Sequence, residues 1–208
     1  MEAVETNLRT SWPVMEQFYT IQGEGYHTGR AAYFIRLGGC DVGCVWCDVK
    51  ESWDKDLHPE QNLSSLVQQV EKAGAEFVVL TGGEPAMYSI KSIVLSLQQK
   101  GIFVAIETSG CYKLDAEVDW YCFSPKKFKP PVDEAYIKAD ELKVVIYHPS
   151  DFKWAQDHAS LILNKDCQLY LQPEWSKEAQ ILPLIIEFVK SHPEWKISLQ
   201  THKYMNIP

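Results

Sequence analysis

The sequence predicts an α/β chain built on a mostly parallel sheet of about six strands. Short β-branched runs alternate with longer amphipathic ones along the chain, and glycine and polar clusters punctuate them. Polar signals also fall repeatedly just past strand ends, as in Thr81-Gly82-Gly83-Glu84, Thr108-Ser109-Gly110 and Ser124-Pro125-Lys126. About six strands is too few to close a full eight-stranded barrel.

Residues 31–37 read as a short strand, 62–73 as a helix with leucine and valine on one face, and 76–80 as the next strand. The pattern repeats with a helix at 90–100 that Gly101 ends, and an apolar, β-branched strand at 103–107. Strands at 118–123 and 141–147, a helix at 151–160 and a strand at 168–171 follow. A long helix at 176–191 and a last strand at 196–199 close the set. Strand, helix, strand in this order implies right-handed crossovers and a ligand site at the carboxyl edge of the sheet. Pro130-Pro131 marks a loop rather than a boundary, so residues 1–208 read as a single domain.

The 208 residues, 46% of them hydrophobic, suffice for one sizeable core. A formal charge of -8 argues against a broad phosphate-binding face, and direct binding of nucleic acid is not expected. No cationic start precedes an apolar run and no stretch nears eighteen apolar residues, so neither a leader nor a membrane span is expected, and the reading is a soluble, cytoplasmic protein. Six cysteines with three crowded together do not form the framework of a small disulfide-rich domain.

Those three lie in Gly39-Cys40-Asp41-Val42-Gly43-Cys44-Val45-Trp46-Cys47, a C-x3-C-x2-C triplet. Structural zinc wants four protein ligands and an electron-carrying [4Fe-4S] cluster wants a fourth cysteine, so the triplet suggests one metal left open for a small molecule. The loop must curl to gather three sulfurs, and Gly39 and Gly43 permit φ > 0. The plainer alternative is a zinc knuckle completed by Cys111, Cys122, Cys167 or a histidine, although those cysteines sit in apolar, strand-like runs and read as buried thiols. The spacing resembles the radical S-adenosylmethionine (SAM) superfamily. That resemblance implies a [4Fe-4S] cluster on Cys40, Cys44 and Cys47 whose unique iron chelates SAM, and a radical drawn from SAM on reduction.

In Gly82-Gly83-Glu84-Pro85 the two glycines let backbone approach a ligand, and the Glu84 carboxylate or a carbonyl can accept from an ammonium. The alternative places Glu84 at an exposed helix start. Arg36, in an apolar run four residues before the cluster, offers a planar fork for a carboxylate, against the alternative of a surface salt bridge. The histidines at 27, 58, 148, 158 and 192 show no ligand spacing and read as surface or packing residues.

Phe18-Tyr19-Thr20-Ile21-Gln22-Gly23-Glu24-Gly25, Phe34-Ile35-Arg36-Leu37-Gly38-Gly39-Cys40 and the end Gln200-Thr201-His202-Lys203-Tyr204-Met205-Asn206-Ile207-Pro208 resemble the 7-carboxy-7-deazaguanine synthases. The intervening motifs fall in the same order. The resemblance implies a homodimer with a partial, open (β/α) barrel of radical-SAM type, reduced by a flavodoxin or ferredoxin-type donor. Its substrate would be 6-carboxy-5,6,7,8-tetrahydropterin, converted by C6 hydrogen abstraction, ring contraction and ammonia loss, with SAM regenerated, in the making of queuosine and related deazapurines. Trp46, Cys47, Asp48, Gly83, Ser124, Pro125, Lys126, Gln172, Pro173, Glu174 and Trp175 match SAM positions. Ile21, Gln22, Gly23, Arg36, Thr81 and His202 match substrate positions, and Pro208 resembles a terminal residue that reaches back to the pterin. One departure concerns Mg2+. The family carries Thr or Ser two residues after the third cysteine, whereas this chain has Val49, without a side-chain oxygen. The expectation is weak Mg2+ binding or replacement by a nearby cation such as Lys50. A glycyl-radical activase would share the cluster motif but not the Gln-Gly-Glu-Gly start or the His-Lys-Tyr segment.

Overall fold

A computed structural model describes residues 9–208. One nine-stranded sheet runs through them in the order β3-β1-β2-β4-β5-β6-β7-β8-β9 and does not close on itself. The strands are β1 (Ser11–Ile21), β2 (Ala31–Leu37), β3 (Glu60–Asn62), β4 (Phe77–Gly82), β5 (Phe103–Thr108), β6 (Trp120–Phe123), β7 (Glu141–Ile146), β8 (Gln168–Pro173) and β9 (Trp195–Ile197). β2 and β4 to β9 are parallel neighbours, as the strand–helix–strand order requires, while β1 pairs antiparallel with both β2 and β3. The expected open, partial barrel is therefore present, extended at one edge by an antiparallel pair.

β1 is the longest strand, and the periodicity announces neither it nor the short β3. Trp12 and Val14 point into the core, but the register shifts between Val14 and Glu16, and this bulge breaks the alternation. Pro13, which lacks a ladder donor, sits where β1 pairs only with the three-residue β3.

The helices are α1 (Leu63–Lys72), α2 (Lys91–Gln98), α3 (Asp133–Lys138), α4 (Asp151–Ala159), α5 (Glu178–Ser191) and α6 (Thr201–Met205). Asn62 caps α1 by accepting from the Ser65 N–H at 2.9 Å. Gly101, at φ +75°, follows α2 and ends it as the sequence suggests. Leu66 and Val70 of α1, Ile93 and Leu97 of α2, Ala135 of α3, Ala155 of α4 and Ile181 and Ile185 of α5 all pack into one large core. The opposite wall of that core is every second strand residue, including Ile35, Leu37, Val78, Leu80, Val104, Ile106, Leu142 and Val144. The residues between them face the interior of the open barrel, where the site lies.

Candidate active site

Along each central strand the inner face changes character from one end to the other. At the amino ends Phe77, Phe103 and Trp120 gather with Ala32, Phe34, Val79 and Ala105 in a second, smaller core. Two to four residues further along, the same face carries Arg36, Thr81, Glu107, Lys143 and Gln172, which line one cavity at the carboxyl ends of the strands. Because the strand period is two, these polar residues need only sit in step with the aromatic ones to point inward. Arg36 and Thr81 are register partners of β2 and β4.

The cluster loop roofs this cavity. Cys40, Cys44 and Cys47 all line it, and the Cys47 N–H donates to the Cys44 carbonyl at 3.1 Å to turn the loop. Gly39 at φ +103° and Gly43 at φ +77° supply the curl. The thiols pack with Val42 and Tyr112, and a fourth thiol, Cys111, joins them from after β5. The sequence places no fourth cysteine near the triplet, but the fold does. Cys111 is buried, its sulfur lies 3.0 Å from the Ser109 hydroxyl oxygen, and burial pushes its thiol up to about 11. Burial likewise pushes Cys40 up to about 11. Among the described residues no three His, Cys, Asp or Glu side chains converge on a point suited to one metal ion. Three soft sulfur donors spread along one curled loop, with a polar cavity beneath, fit a cube several ångströms across.

The Gly-Gly motif belongs to the same roof. A Cβ at Gly83 would lie 2.2 Å from the Gly39 carbonyl oxygen, and one at Gly82 would lie 2.2 Å from that of Leu37. The Gly83 and Glu84 N–H groups donate to those two carbonyls, both at 2.9 Å. Glu84 corrects both sequence readings of its carboxylate. It is buried rather than exposed, and it is spent on the Ala86 N–H, the Thr108 hydroxyl and the N–H and hydroxyl of Ser109. The carboxylate fastens β4 to β5, so an ammonium in the cavity would find backbone carbonyls there instead.

Around the roof lie Trp46, Asp48, Ser124, Lys126, Gln172, Pro173, Glu174 and Trp175; Pro125 is buried and does not line the cavity. The Lys126 ammonium donates to the Ser124 carbonyl at 2.7 Å and sits 5.8 Å from the centre of the Trp46 ring. On the other side are Ile21, Gln22, Gly23, Arg36, Thr81, His202 and Pro208. Arg36 donates through Nε to Glu16 at 2.7 Å, which steers the guanidinium and leaves its two terminal nitrogens for a carboxylate in the cavity. A Cβ at Gly23 would lie 2.3 Å from Nδ1 of His202, so glycine is what lets α6 close against this loop. Asn206, at φ 54°, then turns the chain after α6 and sends Pro208 to the cavity.

The Mg2+ position does not fit the metal. Val49 lines the cavity without a side-chain oxygen, and its carbonyl accepts from the N–H and hydroxyl of Ser52 at 3.1 and 2.7 Å. Lys50 is no replacement: it lies over the Trp53 ring at 5.9 Å and does not line the cavity. The cation at that corner is Lys203, bound to Asp48 at 3.0 Å.

Lys143 has no part in the sequence reading. It is 4% exposed and lies 2.6 Å from Glu24 and 3.4 Å from Glu107. Burial opposes its charge, but the Glu107 and Glu24 carboxylates override that and hold the ammonium well above its ordinary pKa. Burial would raise Glu24, yet Lys143 brings it down to about 2. The available signal was a lysine inside the apolar strand run Leu142-Lys143-Val144-Val145-Ile146, where a charge needs a partner. The other histidines behave as packing or surface groups; His27, for example, packs edge-on or tilted among Tyr26, Phe77, Phe103 and Trp120.

Residues 34–133 match the model of the Radical SAM superfamily. The 7-carboxy-7-deazaguanine synthase of Flavobacterium psychrophilum is 53% identical over 94% of this chain and 92% of its own length. That of Synechocystis sp. is 44% identical over 100% of this chain and 99% of its own. The crystal structure of QueE from Escherichia coli superposes with a TM-score of 0.83 at 31% identity, covering 91% of this chain and 93% of that one.

Proposed function

The chain belongs to the 7-carboxy-7-deazaguanine synthase family of radical SAM enzymes, and we propose that it converts 6-carboxy-5,6,7,8-tetrahydropterin to 7-carboxy-7-deazaguanine for queuosine and related 7-deazapurines. The observation that carries this reading is the convergence of the three-cysteine loop, the Gly82-Gly83 crossing and Arg36 on one cavity. When bound, the [4Fe-4S] cluster and SAM supply the chemistry that removes the C6 hydrogen, after which the ring contracts and ammonia leaves.

The chain's own residues orient and protect. Cys40, Cys44 and Cys47 hold the cluster. Trp46, Asp48, Gly83, Ser124, Pro125, Lys126 and the 172–175 segment hold SAM, Pro125 by shaping the turn rather than by contact. Arg36 takes the substrate carboxylate through its terminal nitrogens, Thr81 and the loop at 21–23 hold the ring, and His202 and Pro208 shut the mouth. Arg36 and the α6 segment thus grip opposite ends of the substrate and keep C6 in one place.

The working unit we infer is a single domain over residues 1–208, with the cluster loop at 40–47 and the clamping segment at 200–208, acting as a homodimer. Exposed Ile137, Leu161 and Leu163 offer apolar surface for that contact. A flavodoxin or ferredoxin-type protein is the proposed electron donor. No helix among the described residues is long and apolar enough to cross a membrane, and all the described cysteines are free, which supports a reducing, cytoplasmic setting. The deciding experiment is anaerobic reconstitution with iron and sulfide, then incubation with SAM, dithionite and the pterin. Formation of 7-carboxy-7-deazaguanine with SAM unconsumed is expected; SAM cleavage without that product would overturn the substrate assignment.

A further inference from the structure

The buried Lys143 is the middle of an unbroken polar chain that joins the floor of the cavity to its roof. Asp48, the residue that follows the cluster loop, accepts from Lys203 at 3.0 Å, and Lys203 also donates to the Gln200 side-chain oxygen at 3.0 Å. The Gln200 amide donates to Glu24 Oε1 at 2.8 Å, and Glu24 Oε2 accepts from Lys143 at 2.6 Å. Lys143 reaches Glu107 at 3.4 Å, and Glu107 accepts from the Gln22 amide at 3.1 Å. Opposite charges alternate along the chain with the neutral Gln200 and Gln22 amides between and beyond them, and Glu24 and Lys143 each favour the other's ionised form.

We propose that Lys143 is a positioning residue for the reaction: through this chain it holds the substrate-facing Gln22–Glu24 loop and Glu107 in fixed relation to the cluster loop, so that C6 of the pterin stays aligned with SAM. This rests on the reaction assigned above. Glu24 and Glu107 come from different parts of the fold, and without the ammonium between them two carboxylates would face each other in a buried site and separate. The loop carrying Gln22 and Gly23 would then shift, and α6, tied to it through Gln200, would shift with it.

The test is a double-mutant cycle on the holoenzyme with Lys143→Met, Lys203→Met and the pair. The two ammonium groups meet only through Gln200 and Glu24, so independent roles predict additive effects. Binding of 6-carboxypterin, the oxidised analogue, to unreduced, SAM-loaded enzyme is the first readout, and the split between KM and kcat the second. Lys143→Met is expected to weaken analogue binding about tenfold or more, a factor worth about 1.4 kcal/mol, with KM raised in parallel. Lys203→Met should show a smaller effect of the same kind, and the double variant should lose less than the product of the two. Unchanged binding by folded Lys143→Met, or strictly multiplicative losses, would overturn the proposal. Should Lys143→Met not fold, Lys203→Met and Gln200→Leu carry the test, and unchanged binding in both overturns it. If the wild-type enzyme makes 7-carboxy-7-deazaguanine while these variants bind normally, only the positioning role fails; absence of product from the wild type removes the reading beneath it.

Discussion

Glu141 and Lys143 stand two residues apart on the same face of β7, and both are almost fully buried, yet the barrel treats them oppositely. Glu141 faces the aromatic end, where its Oε2 accepts from the Tyr26 N–H and the Trp120 indole while Oε1 has no partner. Burial there pushes its carboxyl up, toward the neutral form. Lys143 faces the polar end, between two carboxylates, and keeps its charge. One step of the pleat separates an end that packs from an end that acts. A buried charge persists only beside a counter-charge, and at the carboxyl edge Glu24 and Glu107 supply two of them to Lys143.

The contrast can be broken most strongly at the packing end. Phe77→Ala should cost about 3–5 kcal/mol of stability, because a fully buried ring leaves a cavity among Phe103, His27 and the Arg30 guanidinium. Urea unfolding measures the loss, and KM for the folded enzyme should not move. A raised KM with little destabilisation would mean that the two ends are not separate.

At the acting end, Arg36→Ala should lower kcat/KM by about a hundredfold, roughly 2.7 kcal/mol, mainly through KM. Stability should hardly change, since its Glu16 partner is substantially exposed. Retention of full kcat/KM would place the substrate carboxylate elsewhere.

A subtler test uses pH. Burial, aided by the nearby Arg30 charge, lowers His27 from 6.5 to about 4. Between those values the unfolded chain binds the proton more tightly, so stability rises with pH and is lost as pH falls from about 6.5 toward 4. The orphaned Nε2 of His27 offers the added proton no acceptor. His27→Leu should flatten that stretch of the stability profile, and an unaltered slope would assign it to other groups.

The smallest expected effect is none: thorough chelation of divalent cations should leave turnover unchanged, because Val49 offers no side-chain oxygen, its carbonyl is taken by Ser52, and Lys203 already stands by Asp48. A steep Mg2+ requirement in a turnover assay would show that the acting end needs a charge the chain does not provide.

Some of this was written locally. The cysteine spacing, the Gly-Gly pair and the alternation of apolar and polar residues act over a few positions, and local order dictates them whatever the rest of the chain does. From them follow the parallel sheet, its active edge and most of the cavity's lining. β1 escaped because a bulge disrupts its period, and Glu84 was misread because its partners Thr108 and Ser109 come from the next crossover. The meetings of Lys143 with Glu24, 119 residues apart, and of Lys203 with Asp48, 155 apart, have no local signature. Cys111 likewise reaches the cluster loop only through the order of the strands. The sequence by itself determined which chemical groups this protein owns and which sheet edge they occupy. Only the tertiary structure decided which of them are neighbours, because that depends on strand register and crossover order, properties of the whole packed sheet.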